Sequence, residues 1–408
     1  GIVAHPQEAD LVYVRTDVGG VYRWSESGSY WIPLNDGKYT GYGIESFAID
    51  RSNPDLLYAA IGNKDTGSVW KSSDRGSSWE KTGLAIYMEA NGKWRRCGER
   101  LTVDPYDGKV LYYGSVAQGL WKTDDGGQNW EHVDTTGLPG GADGGHSFVL
   151  CDPASGTENA ACSRIYVGVH GHGLYRSEDR GVTWELVPDG PDTSLRPIHG
   201  AVTLDGTVYV TYHGSDKGAV YRCGPESRLA DCTPPNAGKY GFAGVDALGQ
   251  RVITFKHNSG PDNPIHYSTN SGNNWTDLDL NNGSQGVVGP TNVNEPQYYP
   301  TWSSWTLGGQ IILDPHHQQR AWFTTGFAVY RTDNLDGTPP QWKAMMQNLE
   351  ELVPTVIKKP PSETSSNVFL GSMDMVGFVV SDLDAVPQEK LEPTEMGIMT
   401  GVDYCESR

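Results

Sequence analysis

The stretch SSDRGSSW, residues 72–79, is the first of four related segments in the chain. TDDGGQNW (123–130), SEDRGVTW (177–184) and STNSGNNW (268–275) share its pattern, Ser/Thr-x-Asp/Asn-x-Gly-x-x-Trp. The first three begin 51 and 54 residues apart, and such a period is typical of propellers and other repeat folds. The Asp side chain can accept hydrogen bonds from turn amides, Gly can take a positive φ, and Trp can pack between sheets. We therefore interpret Asp74, Asp125 and Asp179 as structural.

Each segment follows an apolar and aromatic run, and further back lies a pair of apolar runs broken at Asp-Pro or a near equivalent, as in LTVDPYDGKVLYYGS. This layout gives four short strands in a unit of about 50 residues, which is the layout of a propeller blade. The sequence predicts an all-β fold, a seven-bladed β-propeller with Asp-box (BNR-like) repeats. We expect residues 1–353 to form the propeller, and residues 354–408 either to close the ring or to begin a second propeller.

The amino-acid composition excludes some classes of binding partner. The 408 residues carry a net charge of −19 and a pI near 4.9, which argues against nucleic acid and anionic membranes because both require a basic face. No apolar run approaches the roughly 20 residues that span a bilayer. A polysaccharide or oligosaccharide is the expected partner. The sequence suggests no cofactor, and it has no CxxC or other spacing typical of a metal site.

The six cysteines bear on the cellular compartment. Cys151 with Cys162, and Cys223 with Cys232, are close in sequence and lie in loop-like stretches that contain Pro and Gly. Such pairs are typical of local disulfides in secreted proteins. We therefore expect two disulfides and an extracellular location.

Several motifs in a fixed order carry a resemblance to a known family. GIVAHPQEADLVYVRTDVGGVYRW, GIESFAIDRSNPDLLYAAIG, CGERLTVDP, GLWKTDDGGQNW and LEELVPTVIKKPP resemble the first propeller of glycoside hydrolase family 74, the xyloglucanases. The resemblance implies two seven-bladed propellers facing each other across a cleft that holds a branched β-1,4-glucan. It further implies hydrolysis with inversion by one carboxylate from each side, and Asp17 matches the family's general base. The second propeller would be a partner domain absent from this chain.

The general acid is less well defined by the sequence. Two segments could supply it: GSMDMVGF, with Asp374, which repeats the pattern around Asp17, and TGVDYCESR, with Asp403, which resembles a family segment. We slightly favour Asp403. Cys97 and Cys405 stand where the family would have other residues; a bond between them would bring Asp403 toward Asp17, and two unpaired thiols are the alternative.

Other side chains could bind a sugar. Aromatic rings can stack on sugar faces, cationic groups can hydrogen-bond hydroxyls or carboxylates, and histidines near the ends of inner strands can act as acids or bases. The candidates are Arg15, Trp94, Arg100, His146, His199, Tyr299 and Trp302. Two alternative functions remain open: a single-propeller lyase that acts on a polysaccharide containing uronic acid, and a carbohydrate-binding propeller without catalysis.

Overall fold

The structure is a computed structural model that describes residues 1–38, 42–133, 137–141, 143–235, 241–256, 265–278, 287–288, 308–326, 328–338, 340–349, 353–359, 367–373, 377–383, 389–391 and 399–401. Within these ranges the chain forms eight sheets of mostly antiparallel strands and one short 3-10 helix, Pro153–Ser155. No helix in the described part of the chain is long and apolar enough to cross a membrane.

Each sheet is built from consecutive strands. The first four sheets contain β1 Ile2–Ala4, β2 Val12–Arg15, β3 Val21–Ser25 and β4 Tyr30–Pro33; β5 Ile44–Ile49, β6 Leu57–Ile61, β7 Asn63–Ser72, β8 Glu80–Lys81 and β9 Ile86–Glu89; β10 Leu101–Val103, β11 Leu111–Gly114, β12 Leu120–Thr123 and β13 Glu131–His132; and β14 His146–Cys151, β15 Ile165–Val169, β16 Gly173–Ser177 and β17 Glu185–Leu186.

The remaining four sheets follow the same plan. They contain β18 Arg196–Val202, β19 Val208–His213, β20 Gly218–Cys223 and β21 Ala230–Asp231; β22 Phe242–Leu248, β23 Arg251–Lys256, β24 Ile265–Ser268 and β25 Thr276–Leu278; β26 Val287–Val288, β27 Gly308–Leu313, β28 Ala321–Thr325, β29 Val329–Thr332 and β30 Trp342–Ala344; and β31 Pro354–Lys358, β32 Val368–Ser372, β33 Gly377–Val380 and β34 Glu389–Lys390.

Seven of these sheets form a ring. The first strands of the second to seventh sheets contact one another in succession, from β5 through β10, β14, β18 and β22 to β27, and β1 contacts β27. The junction of first and seventh sheets is apolar, with Trp24, Trp31 and Trp322 packed edge to face. Trp31 also donates its indole N–H to the carbonyl of Met345 at 2.8 Å. The predicted seven-bladed, all-β fold is confirmed.

The eighth sheet, β31–β34, pairs only within itself among the described strands. The first and seventh sheets meet where β1 contacts β27 and β28.

The Asp-box segments have the local structure that their sequences predict. In the copy at residues 177–184, Asp179 accepts hydrogen bonds from the hydroxyl of Ser177 at 2.8 Å and from the amide of Thr183 at 2.8 Å. Gly181 has a φ of 92°, a conformation that glycine adopts without strain. The amide hydrogen bonds around Asp74 and Asp125 follow the same plan. The box aspartates thus hold turns.

The prediction of two local disulfides is wrong. Cys151, Cys162, Cys223 and Cys232 are buried free thiols. In the ladder of β20 with β21, Tyr221 lies opposite Asp231, so Cys223 and Cys232 are out of register, and they belong to different hydrophobic clusters. Cys151 and Cys162 share one cluster and pack there as small apolar side chains. Cys97 is also a buried free thiol, whereas Cys405 lies outside the described residues.

The antiparallel order of the strands gives the ring two distinct ends. The hairpins between second and third strands, such as β2–β3, lie at the same end as the connections that lead from one sheet to the next. We call this end the hairpin face. The Asp-box turns between third and fourth strands lie at the other end. Asp17, in the β2–β3 hairpin, is therefore on the face opposite the boxes.

Candidate functional site

Asp17 lies in a hairpin whose backbone is fixed by its neighbours. The hydroxyl of Thr16 accepts hydrogen bonds from the amides of Gly19 at 2.8 Å and Gly20 at 3.0 Å. A Cβ atom on Gly20 would lie 1.8 Å from Oδ1 of Asn35, so a side chain at this position would displace Asn35. The turn holds Asp17 just beyond β2 with its side chain 25% exposed, which leaves the carboxylate accessible to a ligand on the hairpin face.

A segment from the connection between β9 and β10, residues 94–100, crosses the hairpin face; we call it the crossing segment. The amide of Gly98 donates to the carbonyl of Ile198 in β18 at 2.8 Å. The Nε2 atom of His199 lies 2.7 Å from the carbonyl of Arg96. A carbonyl only accepts hydrogen bonds, so Nε2 carries the proton of this imidazole. These contacts attach the crossing segment to the fifth sheet, although the segment itself leads into the third sheet.

Glu99 anchors the crossing segment to the first two sheets. Its carboxylate accepts hydrogen bonds from Nε of Arg15 at 2.8 Å, the hydroxyl of Ser46 at 2.6 Å and the amide of Phe47 at 2.7 Å. Burial opposes ionisation of Glu99, but the charges of Arg15 and of the Gly1 amine, together with these donors, outweigh it and lower the pKa of the carboxyl below its ordinary value of 4.5. The ionised carboxylate therefore joins three parts of the ring.

Arg100 ends the crossing segment within a buried polar group. Its side chain donates to the carbonyls of Gly144, at 3.1 Å, and His146, and its Nε lies 3.7 Å from Glu45. Glu45 also accepts a hydrogen bond from the hydroxyl of Tyr113. Burial raises the pKa of Glu45 despite the nearby Arg100 charge. These contacts bind the segment to the fourth sheet as well.

Arg95 connects the crossing segment to Asp17. Its Nε lies 3.1 Å from Oδ2 of Asp17, and its Nη1 donates to Oδ1 of Asn91 at 3.0 Å. The amide of Asn91 in turn donates to the side chain of Asn63 at 3.0 Å. A chain of polar contacts thus orients the guanidinium group, which holds one oxygen of the Asp17 carboxylate.

The structure brings together five of the predicted site residues, but inside the protein. The relative exposures are 7% for Arg15, 6% for Trp94, 2% for Arg100, 0% for His146 and 3% for His199. Such burial argues against direct contact with a sugar, and a binding role for these side chains stays a prediction. Tyr299, Trp302, Asp374 and Asp403 lie outside the described residues.

Sequence reasoning did not select Glu99 or Glu45 as site residues. Both carry a charge next to a predicted strand or in the loop before one, but their partners are distant in sequence, as with Glu99 and Arg15. The recurrence of charged residues in KWRRCGER was the available signal. Among the described residues, no three His, Cys, Asp or Glu side chains are placed to hold a metal ion.

The buried histidines predict acid sensitivity of the fold. Burial lowers the pKa of His146 and of His199 from 6.5 to about 4. Below pH 6.5 the unfolded chain therefore binds protons that the folded chain does not, so stability is complete above that pH and is lost as pH falls toward the folded value. At about pH 5, each of the two histidines should lower the free energy of unfolding by about 2 kcal/mol relative to neutral pH.

Urea denaturation at about pH 7 and about pH 5 measures this loss. We expect His199→Gln to reduce the pH dependence, whatever its effect on stability at neutral pH. His172→Gln, at an exposed position, is the matched control. A His199→Gln protein with the wild-type pH dependence would contradict the assignment.

Comparison with known proteins agrees with this architecture. A model of the BNR-Asp box repeat matches residues 174–187. A xyloglucanase of Acetivibrio thermocellus is 32% identical, in an alignment that covers 100% of this chain and 54% of the relative. An oligoxyloglucan-reducing end-specific xyloglucanase of Emericella nidulans is 29% identical over 99% of this chain and 59% of its own length.

A solved structure matches equally well. The crystal structure of a family 74 xyloglucanase from Xanthomonas campestris superposes with a TM-score of 0.84 and 29% identity, covering 97% of this chain and 61% of the other. The chain spans little more than half the length of these relatives. The order of motifs, the ring of seven sheets and these similarities lead to one conclusion: the chain matches the N-terminal propeller region of the xyloglucanases of glycoside hydrolase family 74.

Proposed function

We propose that this chain is the part of a secreted glycoside hydrolase that carries the general base, and that its substrate is the β-1,4-glucan backbone of a xyloglucan-type polysaccharide. The observation that carries the proposal is Asp17, a partly exposed carboxylate fixed in a glycine hairpin on the hairpin face. The names of the relatives supply the substrate class: they are xyloglucanases.

In the proposed reaction, hydrolysis proceeds by inversion. Asp17 accepts a proton from a water molecule as the water oxygen attacks the anomeric carbon, and the bond from that carbon to the glycosidic oxygen breaks. A carboxylic acid on the other side of the sugar protonates the leaving oxygen. The two carboxyl groups of an inverting enzyme lie about 6.5–9.5 Å apart, which leaves room for the water molecule.

Asp403 and Asp374 are the proposed sources of that acid, with a slight preference for Asp403. We further propose that residues 354–408 begin a second propeller and do not close the ring. The contact of β1 with β27, and the pairing of β31–β34 among themselves, support this division. The second propeller would then form the opposite wall of the cleft.

The lyase alternative receives less support. It requires histidines that reach the substrate and exchange protons, whereas His146 and His199 are buried and burial lowers the pKa of both to about 4. Product analysis distinguishes the other alternative, a carbohydrate-binding propeller without catalysis, from a hydrolase.

Product analysis tests the proposal on the full-length gene product. Xyloglucan is incubated with the protein, reducing ends are counted, and the anomeric configuration of fresh products is followed by proton NMR. We expect new reducing ends that first appear in the α configuration, because inversion of a β-linkage produces it. Products that first appear as β anomers would refute inversion, and binding without products would leave a carbohydrate-binding protein.

A further inference from the structure

Three cationic side chains lie around Trp94 on the hairpin face, and a fourth, Arg95, is next to Trp94 in sequence. The Nζ atom of Lys93 is 5.0 Å from the centre of the Trp94 ring, and the guanidinium carbons of Arg96 and Arg196 are 5.4 Å and 5.6 Å from it. Arg95, between Trp94 and Arg96 in sequence, contacts Asp17. We call Lys93, Arg95, Arg96 and Arg196 the cationic cluster. In a chain of net charge −19, it is a local reversal of sign.

The cluster has the properties of an anion site. Lys93 contacts the carboxylate of Asp143 at 2.6 Å, and Arg95 contacts that of Asp17. Arg196 is exposed and, within the described part of the chain, its guanidinium group lies over the Trp94 ring without a carboxylate contact. It is thus fixed by stacking, and its planar set of donors stays available to a ligand.

Carboxylates pair with Lys93 and Arg95, and the positive charges of the cluster also act on one another. Burial, together with the charges of Arg95 and Arg196, lowers the pKa of Arg96, so the guanidinium groups repel one another. His213, which pairs with Arg196 in the ladder of β18 with β19, has its pKa lowered to about 4 by burial and by the arginines, and it is neutral at physiological pH. Clustered like charges destabilise the folded protein unless an anion relieves their repulsion.

We propose that the cationic cluster binds a carboxylate-bearing sugar, a uronic acid carried as a branch on a β-glucan. Arginine matches carboxylate geometry with two parallel hydrogen bonds, and Arg196 is placed to make them at the ligand face. Because Arg95 joins the cluster to Asp17, the acidic branch would lie close to the bond that is cleaved. This inference names the substrate class of the hydrolase proposed above and rests on that function.

Calorimetric binding tests the proposal. The full-length protein is titrated with two oligosaccharides of the same β-glucan backbone, one with a glucuronic acid branch and one with a neutral branch, and with free glucuronate. We expect the acidic oligosaccharide to bind about tenfold more tightly than the neutral oligosaccharide or free glucuronate, since a charge-assisted pair contributes about that factor. Added salt should weaken only the binding of the acidic ligands.

Arg196→Gln should abolish the preference for the acidic oligosaccharide. Arg228→Gln is the matched control, because Arg228 is an exposed arginine paired with Asp189 at 3.0 Å and is not part of the cluster. The proposal would be overturned if the protein bound the acidic oligosaccharide no more tightly than the neutral one or than free glucuronate. It would also be overturned if Arg196→Gln and Arg228→Gln had equal effects on that preference.

Asp17→Asn separates this inference from the function on which it rests. If Asp17→Asn abolishes hydrolysis and the binding preference remains, both proposals are supported. If Asp17→Asn hydrolyses normally, the catalytic proposal fails while the binding result is read independently. If hydrolysis depends on Asp17 but the protein shows no preference for the acidic branch, only the substrate inference fails.

Discussion

Replacing Asp17 by Asn should lower kcat for xyloglucan hydrolysis by about a thousandfold, with a much smaller change in KM. General base catalysis contributes about 10²–10⁴ in rate, and an amide cannot accept the proton from water. The hairpin should persist, because Thr16 and Asn35 fix its backbone independently of the Asp17 side chain. The loss should therefore appear in the chemical step, and ground-state binding should largely remain.

The measurement is initial-rate kinetics on soluble xyloglucan with the full-length protein, combined with calorimetric binding of a non-cleaved oligosaccharide. Asp216→Asn is the matched control: Asp216 is an exposed aspartate in the β19–β20 hairpin, on the same face of the ring. If Asp17→Asn retains more than about a tenth of the wild-type kcat, Asp17 is not the general base, because the loss would lie below the usual range.

Local patterns in the sequence predicted the repeat and the hairpin well. The Asp boxes specify turns through contacts within eight residues, as between Ser177, Asp179 and Thr183, so a single copy carries its own structural information. The position of Asp17 is also set locally, because its Gly19-Gly20 turn lies between two clear strands, whereas its role as general base was implied by the resemblance to the family. In both cases sequence neighbours are also spatial neighbours.

The crossing segment could not be predicted in this way. KWRRCGER has the composition of an exposed loop, yet its contacts are with residues 84 positions away at Arg15 and 103 positions away at His199. Closure of the ring brings those partners together, and no local sequence pattern predicts these contacts. The disulfide prediction failed for a related reason: spacing in sequence did not reveal that Cys223 and Cys232 belong to different hydrophobic clusters.

Removing the carboxylate of Glu99 should give the largest loss of stability among the site residues. Glu99→Ala leaves the Arg15 guanidinium, whose side chain is 6% exposed, without its counter-charge, and it leaves Ser46 and Phe47 without their acceptor. Breaking a buried ion pair by deleting one partner costs about 3–5 kcal/mol. Since Glu99 itself is 21% exposed, we expect about 3 kcal/mol in urea denaturation at neutral pH.

A double-mutant cycle distinguishes this cause from general disruption. The double variant with Arg15→Met and Glu99→Met has neither charge, and it is compared with each of these single variants. It should be less destabilised than Glu99→Met alone, because no unpaired charge remains. Glu158→Ala, at an exposed site, is the control for loss of a surface carboxylate. Additive effects of the two substitutions at Arg15 and Glu99 would contradict a coupled pair.

The pH dependence supplies an independent check on Glu99. Despite the opposing effect of burial, the charges of Arg15 and of the Gly1 amine and the hydrogen-bond donors lower its pKa in the folded protein below 4.5. The stabilisation is therefore complete above that pH and disappears as pH falls through the folded value. The stability difference between wild type and Glu99→Ala should therefore shrink below about pH 4.5. Because Glu99 anchors the segment that carries Arg95, the variant should also lose kcat at neutral pH. Intact kcat in a destabilised variant would show that the hairpin alone positions Asp17.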